Sequence, residues 1–214
     1  MLKIKIHPAG APFIFLICTA TLFLYGTSSV FASLGAIVSA WCIYFFRNPD
    51  RVTPMDPNLV ISAADGIVSQ IIMAPAPGEL GLPDGDWLRI SVFLNIFDVH
   101  VNRIPVSGTI VKRHYHPGKF FNASLDKASE HNERNSLVIQ NDHQESIIVV
   151  QIAGLIARRI ICDVGENDSV EVGARYGIIR FGSRTDVYLP KTFESCVLEG
   201  QRMIGGETVI AKRI

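Results

Sequence analysis

The chain has 214 residues, 48% of them hydrophobic, and its 20 basic residues balance its 20 acidic ones. A formal net charge of zero excludes the global basic field used for binding nucleic acid. Four cysteines without CxxC or metal spacing indicate a reduced chain with neither disulfide nor metal site, long enough for a membrane segment plus one compact domain.

From Ala11 to Phe46 there is no Asp, Glu, Lys, Arg or His. One continuous helix of that length would measure about 54 Å, against the ~30 Å of a bilayer core. Gly26-Thr27-Ser28-Ser29 supplies a break. The pattern predicts two apolar helices, 11–25 and 30–46, forming a membrane hairpin that spans or dips in re-entrant fashion. Lys3 and Lys5 before it and Arg47 and Arg51 after it place both ends on the cytoplasmic face of the cell membrane. The apolar stretch is too long for a signal peptide, and Tyr44-Phe45-Phe46-Arg47-Asn48-Pro49 is no cleavage site. An anchor at 1–47 and a second domain at 48–214 follow.

Beyond Pro49 the sequence becomes short β-branched runs separated by Gly, Pro, Asn and Asp. Strands are expected at 59–62, 67–73, 87–94, 108–114, 136–140, 146–153, 159–163, 177–181 and 208–213, with a short helix near 95–99 or 123–129. This is a mostly-β sandwich or barrel. The stretch Leu198–Ala211, with Gly200, Gly205 and Gly206, has the grammar of the closing hairpin in lipoyl-type domains.

Three positions carry possible chemistry: Asp65 in Ala64-Asp65-Gly66, His100 in Phe97-Asp98-Val99-His100, and Ser183 after Gly182. An Asp that orients a His, which in turn deprotonates a Ser, is the general device for activating serine. Singly, each also reads as a turn or strand residue. His114 and His116 alternate along one strand without a carboxylate or cysteine partner, and fit a polar strand end or lipid contact. Arg158 and Arg159 could meet phosphate or simply open a strand.

Taken in order, Ala64-Asp65-Gly66, Phe97-Asp98-Val99-His100 with Pro105-Val106-Ser107-Gly108, Asn132-Glu133-Arg134-Asn135, and Phe181-Gly182-Ser183 resemble the phosphatidylserine decarboxylase proenzymes of short prokaryotic type. The resemblance covers about residues 47–214, and the apolar N-terminus fits it. It implies that His100, oriented by Asp65, helps Ser183 Oγ attack the Gly182 carbonyl. The resulting ester eliminates and hydrolyses to a pyruvoyl group, leaving a large chain 1–182 and a small chain 183–214 as a heterodimer. The pyruvoyl forms a Schiff base with phosphatidylserine and takes up the electrons of the departing carboxylate, without pyridoxal phosphate or metal. Asn132, Glu133 and Asn135 are implied to line or brace the substrate site, and higher oligomers remain open. In the family so resembled many members carry a second histidine three residues after the first; here that residue is Arg103, so the division of labour between two histidines does not carry over and His100 would have to serve both phases alone.

Other classes stay on the table. A membrane-anchored lipoyl-like carrier needs a lysine at its hairpin tip, where this chain has Glu199-Gly200-Gln201. A metallopeptidase needs a His/Asp ligand set that the six histidines do not supply. A related aminophospholipid is the alternative substrate.

Overall fold

The computed structural model describes residues 5–83, 85–118, 132–154, 159–180 and 182–214. The chain forms two compact units, Met1–Asp50 and Arg51–Ile214.

In the first unit a short 3-10 turn, Pro8–Gly10, leads into α1 (Ala11–Tyr25); after a turn comes α2 (Ser29–Phe45). The break falls at Gly26–Ser28, where Thr27 and Ser28 N–H groups still bond back to Leu24. A Cβ on Gly35 would lie 2.6 Å from Thr21 Oγ1, so glycine is what lets the two helices approach. The Thr21 hydroxyl donates to Ile17 O at 2.8 Å and lies 3.2 Å from Ser39 Oγ, so the polar atoms at this crossing are satisfied. Phe15, Leu22 and Phe23 point outward. The segment Pro8–Tyr25, of mean hydropathy 1.7, is long and apolar enough to cross a membrane, and α2 is a shorter apolar helix.

The second unit is mostly β, as the short β-branched runs predict. Its strands are β1 (Leu59–Ile61), β2 (Gly66–Pro75), β3 (Asp86–Leu94), β4 (Val101–Arg103), β5 (Gly108–His116), β6 (Arg134–Gln140) and β7 (Ser146–Ala153). They continue with β8 (Ile160–Cys162), β9 (Ser169–Val170), β10 (Arg175–Ile179), β11 (Ser183–Leu189), β12 (Phe193–Ser195), β13 (Arg202–Met203) and β14 (Val209–Arg213). Eight strands form a curled antiparallel sheet in the order β13-β2-β3-β11-β7-β6-β5-β9. Two three-stranded sheets, β1-β14-β12 and β4-β10-β8, complete the unit.

Strand alternation sorts the side chains of the long sheet. Ile147 and Val149 of β7, Leu137 and Ile139 of β6, and Val187 and Leu189 of β11 enter the main core with Ile90, Val92 and Leu94. Ile148, Val150, Ile152, Val138 and Tyr188 point to the other face, where a second cluster forms around Leu80. Each such buried side chain contributes roughly 1.5–3 kcal/mol.

Two expectations differ from the structure. Residues 95–99 form a turn closed by Asp98 N–H to Asn95 O, not a helix; 123–129 lie outside the described residues. The expected strand 177–181 ends at Ile179, and a new strand begins at Ser183. All seven residues of β11 are buried, because it lies between β3 and β7 with both faces covered. Its charges are tolerated there because Arg184 and Asp186, two apart on one face, pair at 2.8 and 2.9 Å.

Candidate active site

Antiparallel order brings the starts and ends of neighbouring strands together. At one end of the long sheet β2 begins, β3 ends, β11 begins, β7 ends and β6 begins. Ser183 is the Cα partner of Leu94 on one side and of Ala153 on the other. It therefore sits in the middle of that end, in line with the main-core residues Val187 and Leu189. Gly182 immediately before it has φ +64°, the left-handed region. A Cβ at Gly182 would meet nothing within 4 Å, so the backbone conformation and not crowding selects glycine. Ser183 is fully buried, and its Oγ has no hydrogen-bond partner among the described residues. Leaving a buried hydroxyl unmade costs on the order of 1–3 kcal/mol, which a purely structural serine would avoid.

His100 follows the 95–98 turn at the exit of β3. Ile179 N–H, the last of β10, donates to His100 O at 3.3 Å. The histidine backbone is thereby tied to the end of β10. Its ring Nδ1 lies 3.0 Å from Asp98 O. A carbonyl can only accept, so Nδ1 carries the proton and Nε2 is the basic nitrogen of the neutral ring. The Asp98 side chain holds the turn itself, accepting from Asn95 N at 2.9 Å and pairing with Arg202.

Asp65 ends the β1–β2 connection. The pairing of Ile67 with Phe93 brings the residues before β2 alongside the Asn95–His100 turn. Arg51 Nη2 donates to both Asp65 oxygens at 2.9 and 2.8 Å, and Gly205 N–H adds a third bond at 2.9 Å. Burial pushes the Asp65 carboxyl up; Arg51 and the Gly205 N–H oppose this, Asp98 adds repulsion, and the net shift is upward. Asp65 thus bonds to Arg51 and Gly205, and the His100 ring bonds to the Asp98 carbonyl.

Asn132, Glu133 and Asn135 reach the same end of the sheet, all buried. Asn132 Nδ2 donates to Ala153 O at 2.7 Å, directly across from Ser183. Glu133 Oε1 accepts from Tyr115 OH at 3.0 Å and from Ile160 N at 3.1 Å. Asn135 Oδ1 accepts from Arg113 Nε at 3.1 Å. His131 and Arg158 lie outside the described residues, and Arg159 is exposed. His114 and His116 face Ser136 and Arg134 across the β5–β6 ladder. A cleft of about 430 Å³ lined by Glu79, Arg89, Arg134 and Tyr188 opens on the opposite face of the sheet from Ser183.

Sequence reasoning singled out the segment containing Asp98 but gave that residue no role, and it missed Arg51 as the partner of Asp65. Nothing in the spacing of Arg51 and Asp65 signals a pair, because the intervening loop and β1 bring them together.

The arrangement offers a buried serine behind a left-handed glycine, with a tautomer-fixed histidine whose carbonyl accepts from the last residue of β10. Residues 38–211 match the family described as phosphatidylserine decarboxylase. The chain is 56% identical over 206 residues to the phosphatidylserine decarboxylase proenzyme of Rickettsia felis, covering 96% of this chain and 89% of that one. It is 55% identical, with the same coverage, to the proenzymes of Rickettsia prowazekii and Rickettsia bellii. On this match and this geometry, the chain belongs to the phosphatidylserine decarboxylase family and is an enzyme.

Proposed function

We propose that this chain is a proenzyme that cuts its own Gly182–Ser183 bond and then decarboxylates phosphatidylserine to phosphatidylethanolamine. The observation that carries the reading is the buried Ser183 Oγ, unpartnered among the described residues, directly after a left-handed Gly182.

The steps follow from the groups present. Nε2 of His100 accepts the Ser183 hydroxyl proton as Oγ bonds to the Gly182 carbonyl carbon. The Gly182–Ser183 C–N bond breaks, the amine takes up the proton, and an ester remains. Loss of the Ser183 Cα proton to a base expels the Gly182 carboxylate together with Oγ. Water then replaces the nitrogen as ammonia, leaving a pyruvoyl group at residue 183 and chains 1–182 and 183–214. The position fits this group: it is fully buried and held between β3 and β7, where a small planar acyl unit needs no partner for a hydroxyl. When present, the pyruvoyl carbonyl supplies the electron sink that pyridoxal phosphate provides elsewhere. His100 delivers the proton that replaces the departing carboxylate. Asn132, Glu133 and Asn135 brace the end of β7 and β6 beside the substrate.

Residues 1–47 act as the membrane anchor and 48–214 as the catalytic domain on the cytoplasmic face. The apolar segment Pro8–Tyr25 supports this, as do the positive residues flanking the hairpin. The direct test is the mass of the purified chains. A fragment beginning at residue 183 with a pyruvoyl terminus is expected, and Ser183→Ala should stay intact and release no carbon dioxide. Cleavage of Ser183→Ala, or an active preparation holding only the intact chain, would refute the mechanism.

A further inference from the structure

Behind Ser183 and His100 lies a line of buried amides whose orientation can be deduced. Arg113 Nε donates to Asn135 Oδ1 at 3.1 Å, Asn135 Nδ2 to Gln151 Oε1 at 3.0 Å, and Gln151 Nε2 to Asn102 Oδ1 at 2.8 Å. A guanidinium can only donate, so Asn135 must present its oxygen to Arg113 and its NH2 to Gln151. The same logic passes along the line and bridges from the long sheet to β4. It leaves the Asn102 Nδ2 as the loose end, fully buried and without a partner among the described residues. Thr185 Oγ1 is in the same condition, and Thr185 is the cross-strand partner of Gln151.

Both donors sit one step beyond the reacting pair. Thr185 follows Ser183 by two positions on the same face of β11, about 7 Å along the strand. Asn102 follows His100 by two positions.

Building on the proposed function, we infer that Asn102 Nδ2 and Thr185 Oγ1 bind the carboxylate of the aminophospholipid headgroup. The acyl chains must stay in the bilayer, so the small carboxylate branch is the part that can pass inward beyond the amine. An N–H and an O–H match its acceptor oxygens. Neutral donors also suit a group that leaves as uncharged carbon dioxide, since a cation would stabilise the ground state more than the transition state. Breaking the Gly182–Ser183 bond frees the start of β11 from the residue before it and gives the headgroup a way in to atoms that are buried in the intact chain.

The test uses full-length Asn102→Asp and Thr185→Val on mixed phosphatidylserine/phosphatidylcholine vesicles. Asn102→Asp keeps the oxygen that accepts from Gln151 and replaces the free NH2 by an oxygen that repels a carboxylate. Thr185→Val deletes only the hydroxyl. Both variants should cleave themselves, then show a KM for phosphatidylserine raised roughly 5- to 100-fold. Inhibition by phosphatidylethanolamine, which lacks the carboxylate, should be unchanged. A merely structural Thr185 predicts the reverse pattern: removing an unpaired buried hydroxyl would hold or raise the melting temperature and leave KM alone. Unchanged KM in both variants, a parallel weakening toward phosphatidylethanolamine, or loss of self-cleavage would each overturn the assignment. A wild-type protein that releases no carbon dioxide from phosphatidylserine would instead sink the parent reading.

Discussion

Self-cleavage should leave the small chain 183–214 firmly bound, and the structure says how firmly. That chain carries β11 to β14, and three of these pair with strands of the large chain: β11 with β3 and β7, β13 with β2, and β14 with β1. Val187, Tyr188, Leu189, Phe193, Val197, Met203, Ile210 and Ala211 are all buried. At about 1.5–3 kcal/mol for each large side chain, their burial contributes on the order of 10–20 kcal/mol. The association entropy it opposes is about 4–15 kcal/mol. Departure of β11 would also strip β3 and β7 of their ladder partners in the middle of a sheet. The expected outcome is co-elution of both chains in mild detergent, with urea releasing the small chain only as the β-sheet signal is lost. Leu189→Ala, which opens a cavity in the main core, should cost about 2–5 kcal/mol. At a slope of ~1–3 kcal/mol per molar urea, the release midpoint should fall by about 1 M or more. A small chain that separates in native buffer, or a midpoint indifferent to Leu189→Ala, would refute the reasoning.

Two further outcomes follow from buried side chains of the second unit. Burial, then repulsion from Asp186, pushes the Tyr188 hydroxyl up to about 12 against the pull of Arg89 and Arg184. An unfolded tyrosine ionises near 10, so stability is fully present below pH 10 and falls between pH 10 and 12. Tyr188→Phe should remove up to roughly 2–3 kcal/mol of that alkaline loss in pH-dependent melting, leaving the share due to the buried Tyr176. Asp98→Ala, which frees Asn95 N–H and Arg202 and loosens the turn whose carbonyl holds His100, should slow appearance of the 183–214 fragment about tenfold or more. Asp98→Asn, still able to accept from Asn95 N–H, should recover most of the rate; equal rates in all three proteins would remove Asp98 from the positioning of His100.

The two helices and most long strands were legible because their apolar periods are strong: an uncharged run for α1 and α2, and β-branched blocks for β3, β6 and β7. β11 was not legible. Ser183-Arg184-Thr185-Asp186 reads as a polar loop, and only the tertiary structure makes it a central strand. It buries an Arg–Asp pair on one face and the Ser183 and Thr185 hydroxyls on the other. The motif segments lead to positions that the fold gathers near one end of the long sheet: Asp65 before β2, His100 after β3, Ser183 at the start of β11, and Asn132, Glu133 and Asn135 about the start of β6. What the motifs could not convey were partners set by sheet order. Asn102 and Gln151 are 49 positions apart, and Arg51 and Arg202 pair with Asp65 and Asp98 from opposite ends of the second unit's sequence.

Arg103, three residues after His100, bears on whether one histidine suffices. It is buried, and its Nη1 donates to Gly173 O at 2.9 Å, so it buttresses β4 against the 173–174 turn. A guanidinium does not give up its proton at any working pH and cannot act as a base. On the proposed reading, both proton tasks then fall to His100, and they differ in time. Cleavage occurs once and needs Nε2 without a proton; each turnover afterwards needs Nε2 to deliver one. The Asp98 carbonyl makes this sequence possible, because it keeps the Nδ1 proton in place throughout and leaves Nε2 as the site of every exchange. On that reading, the bond that fixes the tautomer for the first task also prepares the second.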